Sequence, residues 1–172
     1  GTPLGASPRT AEVYVEGGGS VAYLAGSLEV VGSSSASTTI QNQGSGTFDF
    51  TIAGSASTTW TYAIPRDLSI DGLTMANVPT VNDLGFVDWR VDIASGSALT
   101  VGGTVIDANP AKNFNQNIFV ADGGATNAIN VTATGTSVSS WRFTNHTGAL
   151  AGEANDDDPG GDPGYVVWDD SA

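Results

Sequence analysis

Apolar and polar residues alternate in short stretches along almost the whole chain. A period of two is the mark of a β-strand with one buried face. The alternation is clean in Phe48-Asp49-Phe50-Thr51-Ile52 and in Trp60-Thr61-Tyr62-Ala63-Ile64. Its longest run, Val87 to Ile93, predicts Val87, Trp89, Val91 and Ile93 on the core face, with Asp88, Arg90 and Asp92 opposite. Shorter strand-like pieces are Val13–Val15, Val21–Leu24, Leu28–Val31, Leu99–Val101, Val105–Ile106, Ile118–Val120, Ile129–Thr132 and Trp141–Phe143. Gly17-Gly18-Gly19, Gly102-Gly103, Gly123-Gly124 and the polar run Ser33–Thr39 separate them as turns. No amphipathic helix of ten residues or more is expected. The pattern divides the chain into an extended arm (1–10), an all-β domain (11–152) and an acidic loop with a closing strand (153–172).

Strands at 8–12-residue spacing fit a sandwich, a barrel or a solenoid. Ile93–Ile106 has short apolar pairs separated by tiny residues, as the corners of a β-helix require. Asn109, Asn113, Asn115, Asn117 and Asn127 fall near expected corners, where asparagine tolerates left-handed backbone and can stack. No strict repeat period emerges, and Phe48–Ile52 with Trp60–Ile64 would also make an antiparallel hairpin. The expectation is an all-β parallel β-helix or solenoid, with an antiparallel β-sandwich as the alternative.

The stretch Ser95–Ile106 (SGSALTVGGTVI) resembles the rungs of parallel β-helix regions in large secreted bacterial surface proteins. The run from Trp141 to Ala172 is similar to segments that close such regions in adhesin-like extracellular proteins. The resemblance implies an architecture and a place, the cell surface or beyond it, rather than a reaction.

Composition agrees with that place. Eighteen acids face five bases, a net charge of −13, and only 13% of residues are charged, against about 25% in ordinary soluble domains. The absence of cysteine excludes disulfides and thiolate chemistry, and the single histidine excludes a multi-histidine metal site. A nucleic-acid partner would need clustered Lys and Arg, and membrane insertion would need an apolar run of about 18 residues; the sequence offers neither. The start at Gly1-Thr2-Pro3 is expected of a processed product or an excised piece.

The densest chemistry is acidic. Seven of the eighteen acids fall between Glu153 and Asp170. Asp156, Asp157, Asp158 and Asp162 lie around two Pro-Gly turns and, with Glu153, make a donor set suited to Ca²⁺, which takes six to eight oxygens; a solvated acidic loop without an ion is the alternative. The spacing is not that of an EF-hand. His146 lacks the nucleophile elbow that a serine triad would bring. Trp60, Tyr62, Trp89, Trp141 and Trp168 could stack on a sugar, though alternating aromatics more often build a core. Ala11, Val13, Tyr14 and Val15, following the arm, could add to a neighbouring strand edge. The expectation is a non-enzymatic module of a surface fibre, filament or adhesin, calcium-stabilised and self-assembling, with its own copies or other surface domains as partners. A carbohydrate-binding module is the first alternative. A polysaccharide-degrading β-helix is the second, and would need acids beside Arg66, Arg90 or Arg142 in a groove.

Overall fold

The computed structural model describes residues 10–122, 129–159 and 164–169. The chain winds into a parallel β-solenoid of about five turns. The first turn is β1 (Ala11–Glu16) and β2 (Ser20–Val31); the second is β3 (Thr38–Gln43) and β4 (Phe48–Thr61). The third is β5 (Ala63–Pro65), β6 (Leu68–Ala76) and β7 (Thr80–Asp83). The fourth is β8 (Asp88–Val91), β9 (Ser97–Gly102), the helix α1 (Gly103–Ala108) and β10 (Lys112–Asn115). The fifth is β11 (Ile118–Ala121), β12 (Ile129–Thr134) and β13 (Trp141–Thr144). A 3-10 turn, Glu153–Asn155, and β14 (Val166–Asp169) follow. Among the described residues no helix is long and apolar enough to cross a membrane.

Each strand pairs in parallel with its counterpart one turn away. β1, β3 and β5 form one side, continued by the β8–β11 pair; β2, β4, β6, β9 and β12 form the second; β10, β13 and β14 form the third. Parallel pairing aligns like faces, so inward residues stack turn over turn. Trp89 lies over Phe119 in register, as Phe114 lies over Phe143 and Phe143 over Trp168. The Phe143 and Trp168 rings stack at 4.8 Å. All four tryptophans are inside, and each indole N–H donates: Trp60 to Thr58 Oγ1, Trp89 to Asn117 Oδ1, Trp141 to the Asn109 carbonyl and Trp168 to Asp156 Oδ2. An indole buried without an acceptor would carry a desolvation cost.

Three expectations change in detail. Phe48–Ile52 and Trp60–Ile64 do not form a hairpin, because the first and the start of the second are one strand. β4 runs straight through and turns a corner at Gly54 (φ 66°), beside the Gly26 corner of β2 (φ 87°). Glycine takes that backbone without a Cβ penalty. Val105–Ile106 lies in α1 rather than in a strand, with both side chains buried. Val87, Trp89 and Val91 are core residues as the alternation predicts, but β8 ends at Val91 and Ile93 is only half-buried.

Candidate functional site

The two ends of the solenoid differ, and the difference lies in residues the sequence singles out. At the N-terminal end β1 and β2 are the outermost strands of their sheets. Ala11, Val13, Tyr14 and Val15 lie on β1, which pairs with β3 of its own chain through one edge. Among the described residues no strand covers the other edge of β1 or of β2. Next to that edge is an apolar groove of about 280 Å³ lined by Val13, Val15, Val21, Leu28, Ile40 and Phe50, among others. Val13 and Tyr14 are about half exposed, at 48% and 52%. The Tyr14 hydroxyl donates to Glu12 at 2.6 Å, which raises the phenol's pKa.

At the other end the last strand is covered by carboxylates. The N–H of Val166 donates to Asp158 Oδ2 at 3.0 Å, and the N–H of Trp168 donates to Glu153 Oε1 at 3.2 Å. The Trp168 indole donates to Asp156 Oδ2 at 2.9 Å. Three acids thus take the alternate N–H groups of β14 and the ring above them, where a further strand would supply carbonyls. Gly164 allows this, because any Cβ there would collide with the Asp158 carboxylate. Asp157 serves through its backbone instead: it accepts from the Ala133 N–H and donates to the Val131 carbonyl, extending β12. Burial, then the nearby carboxylates of Glu153 and Asp158, push the Asp156 pKa up to about 7. His146 packs edge-on against the Trp168 ring.

Of the five acids expected to bind Ca²⁺, Glu153, Asp156 and Asp158 therefore converge on β14. Asp157 is exposed on the ladder, and Asp162 lies outside the described residues. Among the described residues no group of three or more His, Asp and Glu side chains is placed to hold a metal ion. What the sequence did not reveal is that these acids meet backbone donors; the signal present was acids at 153, 156 and 158 ahead of the apolar strand Val166–Asp169.

Acids and arginines also meet at one corner of the first side. Arg66 pairs with Asp122 at 3.2 Å, and Arg90 with Asp88 at 2.6 Å. There Asp92 accepts from the Asp67 N–H, and Asp67 accepts from the Asn42 N–H, one turn to the next. Burial raises the Asp92 pKa. These side chains fasten successive corners. The sugar-stacking set is not exposed as a platform: Trp60, Trp89, Trp141 and Trp168 are buried, and only Tyr62, stacked on Phe86 at 4.7 Å, reaches the surface in part. Compared with known proteins, the chain matches no protein family, no curated protein and no solved structure.

Proposed function

We propose that the chain is a non-enzymatic structural module of an extracellular or cell-surface fibre, filament or adhesin. In this reading its first turn is the joining surface and a second copy is the partner. The observation that supports it is the asymmetry of the ends: at β1 and β2, edges that no strand among the described residues covers, beside an apolar groove, against an edge whose donors are taken at β14. Unpaired edges recruit strands, and backbone hydrogen bonds with side-chain pockets are the means of β-augmentation. The residues that would carry it are Ala11, Val13, Tyr14 and Val15. The reading keeps Ca²⁺ as a stabilising ion at Glu153, Asp156, Asp157 and Asp158, with Asp162.

Light scattering after size exclusion, over a hundredfold range of concentration, tests the joining surface. Association that grows with concentration is expected, with loss of it in Val13→Lys, which puts a charge into the groove. A monomer at every concentration, or a Val13→Lys chain that associates like the parent, overturns it.

A further inference from the structure

Two of the five basic residues of this acidic chain face one groove on the third side of the solenoid. The groove, about 360 Å³, is lined by Ala111, Lys112, Asn113, Ser140 and Arg142. Arg66 and Arg90 are each held by an aspartate. Lys112, by contrast, has no carboxylate within 4.0 Å among the described residues. Arg142 pairs with Asp169 at 3.2 Å, the distance of Arg66 from Asp122, but with both side chains about half exposed.

Both walls of the groove are held in place. On one side Ala111 has φ 56°, a left-handed backbone that is costly for a residue with a Cβ. It delivers Lys112 and Asn113 to the rim. On the other side Asp107 Oδ1 accepts from Ser137 Oγ at 2.7 Å and from the N–H groups of Val138 and Ser139 at 2.8 and 2.9 Å. These bonds hold the Asp107 pKa below its usual value. The loop leading to Ser140 is thereby pinned, with Val138 at its tip 96% exposed.

Beside the groove, neighbouring side chains occupy the amide oxygens of β10. Thr144 Oγ1 donates to Asn113 Oδ1 at 2.9 Å, and Asn145 Nδ2 donates to Asn115 Oδ1 at 2.8 Å. The Asn113 amide oxygen is used within the sheet, and among the described residues its NH₂ group is left for a ligand. Lys112, Arg142, Asn113 and the Ser140 hydroxyl, all on the groove's lining, then make a row of donors that includes one cation paired with Asp169 and one without a carboxylate partner among the described residues. Such a row fits an acceptor-rich ligand carrying one negative charge. The surrounding charge of −13 disfavours a dense polyanion such as nucleic acid. A sugar acid, with one carboxylate per ring and hydroxyl and ring oxygens around it, meets both conditions.

We propose that the groove between Lys112 and Arg142 binds a uronic-acid residue of an acidic saccharide. The carboxylate sits between the two cations, and the ring oxygens lie along Asn113 and Ser140. The test is titration of the full ¹⁵N-labelled chain in about 0.15 M salt, where charges are screened beyond about 8 Å. The probes are digalacturonate, neutral galactose and sodium sulfate as a bare anion. Saturable shifts at residues 111–115 and 140–144 are expected with digalacturonate, none with galactose, and weaker ones with sulfate. K112Q should bind digalacturonate about tenfold more weakly or worse while melting with the parent, and R142Q should lose affinity as well. No saturable shift with digalacturonate, an equal response to galactose, an affinity for sulfate matching that for digalacturonate, or K112Q binding like the parent would each overturn the assignment.

Discussion

Asn109 stands in for a strand residue where α1 pushes the backbone out of the third side. Its Oδ1 accepts from the Val81 N–H at 2.8 Å, and its Nδ2 donates to the carbonyls of Pro79 and Val105, both at 2.9 Å. Its own carbonyl accepts from the Trp141 indole. A single residue therefore ties the third and fourth turns by its side chain and the fifth by its backbone carbonyl. Asn130 does similar work lower down, donating to the carbonyls of Leu150 and Gly152. The sequence pointed to asparagines near corners, but not to the burial of these two: Asn109 follows α1 outside any strand, where alternation gives no side, and Asn130 is a buried polar residue beside Val131 within β12, against the alternation. Asn109→Ala takes the side-chain partner from the Val81 N–H and the Pro79 carbonyl, while the Val105 carbonyl keeps the backbone N–H of residue 109; each such lost partner costs about 1–3 kcal/mol. A loss of roughly 3 kcal/mol, or about 6–12 °C in melting temperature for a chain of this size, is expected by calorimetry. A change of a degree or two would show that water replaces the side chain at no cost.

β14 is the element whose stability depends most directly on protonation. Asp156 sits among Glu153 and Asp158, and its pKa is pushed up to about 7, first by burial and then by those two carboxylates. For a carboxyl whose folded pKa lies above its unfolded value, the stability it contributes is complete below the unfolded pKa. It is lost as pH rises through the folded pKa. The unfolded value is about 3.9. The melting temperature should therefore fall between about pH 5 and pH 8, with Trp168 fluorescence reporting the same change. Asp107 works in the opposite sense, but only as pH falls through the acid range, since its pKa is lowered. Asp156→Asn keeps an oxygen for the Trp168 indole and removes the titrating group. It should melt higher than the parent at pH 8 and show little slope. A parent curve that is flat or rising from pH 5 to 8, or an Asp156→Asn curve as steep as the parent's, contradicts this account of the clamp.

The whole molecule shows why its architecture was legible and its repeat was not. Parallel stacking needs like faces aligned, and the alternation at Phe48–Ile52 and Val87–Val91 carried that requirement openly. The turn length is free, however, because corners absorb insertions: the offset between paired residues is 20 from Phe48 to Leu68 and 32 from Leu99 to Val131. No fixed period could emerge from such turns, and β4, bending at Gly54, looked like two strands of a hairpin. The net charge is also a property of the whole. With every cation counted, a surplus of thirteen negative charges remains, so self-repulsion opposes folding and sodium chloride should raise the melting temperature by screening it. Calcium, if it binds at Glu153, Asp156 and Asp158, must act beyond screening. At a hundredfold excess over its dissociation constant, an ion that binds only the folded chain adds about 2.7 kcal/mol, or roughly 5–10 °C here. It must also displace the proton of Asp156, so its effect should be larger at pH 8 than at pH 6. Melting at matched ionic strength with EDTA, with millimolar Ca²⁺ and with Mg²⁺ separates the two causes. Ca²⁺ above Mg²⁺ and EDTA, with the excess reduced in Asp156→Asn, is the expected result; identical temperatures in all three would leave screening as the whole effect and remove calcium from the C-terminal end.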